Sequence, residues 1–199
     1  GDLALVGAPL KGHILAARPG HVANVEFARK IKELMKRDRF REKSPKYNPE
    51  QKPLKDVNEI MKMLPHRPPF LFVDKIIELS DRHVVGVKNV TMNEWFFPGH
   101  FPGAPVFPGV IQIEAMAQVG GILVLKTVPD PENYLTYFMK IDNVKFKQKV
   151  IPGDTLVFRL ELVTPIRRGI CHMRGTAQVI DKVVMEAEMM AQIVKVKGF

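Results

Sequence analysis

The sequence predicts an α+β fold in which a curled antiparallel sheet wraps one long buried helix. Three observations carry this. Six segments beyond residue 56 are β-rich or alternate apolar with polar residues, and Gly, Asp and Pro turns such as Pro152-Gly153-Asp154 separate them. In their midst lies one helical pattern that opens at Pro108-Gly109 and runs through Val110, Ile113, Ala117 and Gly120-Gly121 to about Lys126. It is apolar on nearly every face, and a helix of that kind must be covered all round, which a curling sheet achieves. Propensity alone leaves several α+β folds open.

Residues 1–34 read as a separate piece, too small to own a core. They hold an apolar start (Leu3, Ala4, Leu5, Val6), a stretch with Gly and Pro, and helical spacing over 25–34. Residues 35–55 are charged and carry Pro45, Pro49 and Pro53, the composition of a tether. Residues 56–199 form the sheet-and-helix domain. A short helix is expected over 57–64, with Asp56 as its cap and Pro65 ending it. Strands are expected at 70–73, 84–90, 137–146, 155–163, 169–179 and 183–194.

Composition narrows the function. A chain of 199 residues with 46% hydrophobic content can bury a sizeable core. Its single cysteine, Cys171, excludes an internal disulfide or a multi-cysteine metal site, and a reducing, cytoplasmic setting fits. The chain opens on Gly1 without a basic-then-apolar leader, and it reads as part of a longer polypeptide. The most apolar stretch, 110–125, is interrupted by Gln112, Glu114 and Gln118, so it reads as a buried helix and no membrane insertion is expected. The net charge of +9 raises the question of an acidic partner. Much of the excess lies between Arg29 and Lys55, where a solvated linker explains it without nucleic acid. Lys140, Lys145, Lys147, Lys149, Arg167 and Arg168 offer a second basic surface.

The chemistry concentrates in residues 93–118. His100 lies in a Gly/Pro-rich loop between aromatic residues, which hold an imidazole in a dry, fixed pose. Glu114 and Gln118 sit one turn apart on the helix that follows, polar positions on an otherwise apolar element. Polar groups there need partners or a task. Gly109 stands where the helix begins; the first amides of a helix lack intrahelical acceptors and point outward with the positive end of the dipole. A base near neutrality, a second proton donor and a donor for an enolate are the parts for proton abstraction α to a carbonyl. By spacing alone, a loop histidine is more often structural.

The motifs Leu64-Pro65-His66-Arg67-Pro68-Pro69-Phe70-Leu71-Phe72-Val73-Asp74, Gly99-His100-Phe101-Pro102-Gly103, Phe107-Pro108-Gly109-Val110 and Glu114-Ala115-Met116-Ala117-Gln118 change those odds. Through them residues 56–196 resemble the (3R)-hydroxyacyl-ACP dehydratases of bacterial type II fatty acid synthesis. The resemblance implies a hot-dog fold and reversible elimination of water without a cofactor. It implies that His100 and Glu114 form the active site and that the Gly109 amide polarises the thioester. Glutamate, rather than the aspartate of the dehydratase/isomerase branch, favours plain dehydration. It also implies a homodimer in which the pair meets across the interface, further assembled as a trimer of dimers, and an acyl carrier protein as partner. The carrier is expected to dock on one of two basic sets, Lys145, Lys147 and Lys149 or Arg167 and Arg168, with Arg67 and Lys140 as the other place for it. His66 is read as structural or carrier-facing.

Gly1-Asp2-Leu3-Ala4-Leu5-Val6-Gly7, Lys11-Gly12-His13-Ile14 and Arg18-Pro19-Gly20-His21 resemble the C-terminal end of the zinc-dependent UDP-3-O-acyl-N-acetylglucosamine deacetylases of lipid A synthesis. That implies an assisting role for Asp2 and His21 in a parent fusion of both enzymes. The zinc ligands lie upstream and are absent here, so no metal site and no deacetylation are expected of this piece. Two other functions use the same fold. An acyl-thioester hydrolase would need an activated water, against which the 99–103 loop argues. A non-catalytic acyl-binding module would not keep both His100 and Glu114.

Overall fold

The computed structural model describes residues 2–7, 15, 17, 20–43, 45 and 47–196. The Lys11–Ile14 motif and Arg18-Pro19 lie outside these residues. The chain divides into two units, Gly1–Ser44 and Pro45–Phe199.

In the first unit a 3-10 turn, Asp2–Val6, precedes helix α1, His21–Lys43. Val6 and Ala28 are buried. Helix α1 continues through the first part of the segment expected to be a tether. From Met35 to Lys43 the chain contains no Pro or Gly and is rich in Lys and Arg, which propagate a helix.

The second unit begins with α2, Val57–Met61, closed by a reciprocal cap: the Glu59 amide donates to Asp56 Oδ1 at 3.0 Å and the Asp56 amide to Glu59 Oε2 at 2.9 Å. It is shorter than the expected 57–64. Six strands follow, β1 Lys75–Leu79, β2 His83–Asn89, β3 Tyr134–Phe146, β4 Thr155–Arg167, β5 Ile170–Val179 and β6 Lys182–Lys195, with α3, Gly109–Leu125, between β2 and β3. They form one antiparallel sheet in the order β1-β2-β4-β5-β6-β3. The sheet and its buried helix make the hot-dog arrangement.

The first strand is not at 70–73 but at Lys75–Leu79. Pro68 and Pro69 have no amide to give a ladder, and the backbone after them bonds to a side chain instead. The Phe72 amide donates to Gln118 Oε1 at 2.8 Å, and Gln118 Nε2 donates to the Phe70 carbonyl at 2.9 Å.

Helix α3 lies close against the sheet because glycines face it. A Cβ on Gly86 would stand 2.5 Å from Val119 Cγ2, and one on Gly175 would run into Met116. Met116, Val119, Ile122 and Leu123 are buried against Val84, Phe158, Leu160 and Met173, each fully buried side chain contributing about 1.5–3 kcal/mol. Strand β3 closes one edge of the sheet and carries exposed Tyr137, Phe138, Met139, Ile141 and Phe146.

Candidate active site

The loop between β2 and α3 is fixed before it reaches His100. At its start Lys88 and Glu94 form a buried ion pair at 2.5 Å. Phe96, Phe97 and Phe107 then pack edge to face, with ring centroids 4.8, 5.0 and 6.3 Å apart. The His100 amide donates to the Phe96 carbonyl at 3.0 Å, and the His100 carbonyl accepts from the Val106 amide at 3.0 Å. Phe101 stacks on the imidazole at 4.1 Å.

His100 Nδ1 lies 2.7 Å from the Val106 carbonyl oxygen. A carbonyl only accepts, so Nδ1 carries the hydrogen and Nε2 of the neutral ring presents its lone pair. That is the form a general base needs.

Gly109 is the first residue of α3, as expected. The Ile111 and Gln112 amides donate to the Pro108 carbonyl, and the Gly109 and Val110 amides have no acceptor among the described residues. A Cβ on Gly109 would stand 2.7 Å from Phe146 Cζ. The glycine therefore makes room for the Phe146 ring.

One turn further on, Gln118 Nε2 donates to Glu114 Oε1 at 2.9 Å. Gln118 is 2% exposed and is itself gripped by the Phe70–Phe72 backbone, so Glu114 is held by a fixed partner. His66 Nε2 approaches the same oxygen at 3.4 Å. Burial pushes the His66 imidazole below its usual range, outweighing the upward pull of Glu114, with Arg67 adding to the lowering. The motif that contains His66 was visible in the sequence. Its place beside the glutamate was not, because residues 64–74 and 114–118 meet only through the fold.

Within one chain His100 and Glu114 open on different cavities. Glu114, His66 and Gln118 sit on one that continues along Ala117, Gly121 and Val124. His100, Val106, Gly109 and Phe146 line the other, together with Lys147 and Lys149. Strand β3 ends at Phe146, yet Lys145 and Lys147 remain neighbours because both pair with Glu186, at 3.5 and 2.6 Å. The hydrogen bond from Lys147, then its charge, then Lys145 hold the Glu186 carboxyl below its ordinary range. Arg167 ends β4, and Arg168 turns the chain with φ 51° ahead of Gly169. Neither lines these two cavities.

In the Gly1–Ser44 unit, Asp2 accepts from Asn24 Nδ2 at 3.0 Å and pairs with His21 Nδ1 at 2.9 Å. The Asn24 bond, followed by that to His21, keeps the Asp2 carboxyl below its ordinary range. Asp2 and His21, the two residues for which the resemblance implies an assisting role, are thus neighbours. Among the described residues no group of three His, Cys, Asp or Glu side chains is placed to hold a metal ion.

Residues 64–188 match the family of FabA-like domains. The chain belongs to the FabA-like family. The matched span contains His66, His100, Gly109, Glu114, Gln118 and the three lysines. The bifunctional enzyme LpxC/FabZ of Bacteroides thetaiotaomicron is 61% identical over 197 residues, covering 99% of this chain and 42% of that protein. Its namesake from Porphyromonas gingivalis is 55% identical over 197 residues, covering 99% and 42%. This FabA-like chain therefore spans about two-fifths of the length of these curated relatives. The 3-hydroxyacyl-(acyl-carrier-protein) dehydratase FabZ of Hydrogenobaculum is 51% identical over 138 residues, covering 68% of this chain and 93% of that protein. Among solved structures, the dehydratase heterocomplex ApeI:P from Xenorhabdus doucetiae matches with a TM-score of 0.59 at 19% identity, covering 68% of this chain and 91% of its own. That last likeness speaks for the fold.

Proposed function

We propose that the Pro45–Phe199 unit catalyses the reversible dehydration of (3R)-3-hydroxyacyl chains, carried on acyl carrier protein, to trans-2-enoyl chains. The observation that carries this is His100, whose Nδ1 is committed to the Val106 carbonyl and whose Nε2 is left to accept, with Phe101 stacked on the ring. Nε2 takes the C2 proton. The freed electron pair forms the C2–C3 double bond as the C3–O bond breaks, and Glu114 gives the departing hydroxyl the proton that makes it water. The Gly109 amide, at the positive end of α3, stabilises the thioester enolate oxygen. No cofactor takes part.

Two copies are needed. His100 and Glu114 open on separate cavities of one chain, so a complete site takes His100 from one copy and Glu114 from another. The exposed apolar row on edge strand β3 supports such pairing, since an unpaired edge of this kind invites a second strand. A trimer of such dimers is the larger assembly in this reading. Lys147 and Lys149, at the mouth of the His100 cavity, suit an acidic carrier. The full polypeptide joins this unit to a deacetylase of lipid A synthesis, which alone uses zinc, and works in the cytoplasm. No helix among the described residues is long and apolar enough to cross a membrane. Incubation with 3-hydroxyacyl carrier protein should yield a product lighter by one water in mass spectra; an unchanged substrate mass, or release of free acid, contradicts this function.

A further inference from the structure

We infer that His66 is a positioning residue for Glu114: it holds Oε1 through its Nε2–H and leaves Oε2 as the oxygen that exchanges a proton with the substrate. This rests on the reading of Glu114 as proton donor. Two nitrogens converge on Oε1, Gln118 Nε2 at 2.9 Å and His66 Nε2 at 3.4 Å, and no partner of Oε2 exists among the described residues. His66 is fixed from the other side. Its ring stacks on Phe70 at 6.4 Å with an interplanar angle of 19°, and Arg67 donates to the His66 and Leu64 carbonyls, both at 2.8 Å.

The tautomer follows from what surrounds the ring. His66 Nδ1 is buried with no hydrogen-bond partner. A hydrogen on Nδ1 would be a buried donor without an acceptor, whereas Nε2 has Glu114 Oε1 within 3.4 Å. Burial favours the neutral ring, which has one hydrogen to place. The remaining titratable group on this cavity is Cys171, whose thiol burial keeps protonated. The charge acting on the pair from outside is therefore Arg67, which favours a neutral His66; the second copy brings the His100 imidazole to the same site.

At 3.4 Å the contact is longer than a full hydrogen bond, and that length has a catalytic consequence. A protonated Glu114 draws the N–H only weakly. When Glu114 gives its proton to the departing hydroxyl, the growing carboxylate charge draws it in, so the interaction strengthens along the reaction coordinate. His66 then lowers the barrier without tightening substrate binding.

The test compares wild type, His66→Phe and His66→Gln on 3-hydroxyacyl carrier protein, with kcat and KM measured for each. His66→Phe keeps the stacked ring and loses the N–H; kcat should fall about tenfold with KM within roughly twofold. His66→Gln restores an N–H at similar reach and should recover most of the lost kcat. Wild-type kcat in a folded His66→Phe, or a change in KM alone, overturns the inference, the latter pointing to carrier contact. In wild type, imidazole nitrogen shifts should report the neutral Nε2–H tautomer, and an Nδ1–H tautomer overturns the inference whether or not the variants fold. If wild type makes no enoyl product, the dehydratase reading has failed; if it does and these outcomes miss, only the role of His66 has.

Discussion

The His100 ring and the Val106 carbonyl are 2.7 Å apart, and the same two residues are joined by a backbone hydrogen bond of 3.0 Å. The loop thus closes on itself at His100, fixing ring orientation and tautomer together. Removing the ring should remove the base without loosening the loop, because the backbone bond, the three phenylalanines and the Lys88–Glu94 pair stay. His100→Ala should lose about a hundred- to ten-thousand-fold in kcat while unfolding at nearly the wild-type temperature. Wild-type turnover in the folded variant would falsify its role as base.

Glu114→Gln keeps the volume of the side chain and its contact with Gln118, and gives up the acidic proton. Turnover should drop by about a hundredfold or more with the oligomer intact, as read by sedimentation. Full rate would make Glu114 a structural polar residue of α3.

How far these residues were legible in the sequence depends on how local their geometry is. The α3 pattern, the Asp56 cap and the loop around His100 are written in consecutive residues, and each lies within a few positions of its expected place. The error at 70–73 has another origin: Phe70 and Phe72 look like strand, and only Gln118, which arrives from α3, shows why they bond to a side chain. His66 reads as structural or carrier-facing for the same reason. Its sequence neighbours are Pro65 and Arg67, whereas its chemical neighbour is Glu114. The tether expected over 35–55 gave its prolines more weight than the helix-forming run before Pro45.

Lys147 and Arg168, from the two basic sets, lie in different places. Lys147 lines the His100 cavity, and Arg168 lines neither cavity described. Lys147→Glu should slow turnover of carrier-bound substrate and flatten its salt dependence while sparing a short carrier-free thioester, since rim charges act mainly on encounter. Arg168→Glu should leave both substrates near wild type. A carrier-specific loss in the Arg168 variant and none in the Lys147 variant would move the docking surface to the β4–β5 turn.

Stability should carry a signature of His66. Its value in the folded chain is below the ordinary 6.5, so as pH falls the unfolded chain takes up the proton first. The stabilisation is complete above about pH 6.5 and is lost as pH drops through the folded value. The wild-type Tm should therefore fall between about pH 7.5 and 5.5 more than that of His66→Phe. Equal slopes for the two proteins would mean that His66 is as solvated folded as unfolded.

In the proposed dimer one catalytic site takes His100 from one copy and Glu114 from another. Mixing tests it most directly. His100→Ala and Glu114→Gln chains, each nearly inactive, are unfolded together, refolded in equal amounts and assayed on 3-hydroxyacyl carrier protein. If the site is shared, half of the dimers are mixed and each holds one intact site, so activity should return to about one quarter of wild type. If each chain builds its own site, the refolded mixture stays at the level of the separate variants, and the shared site is contradicted.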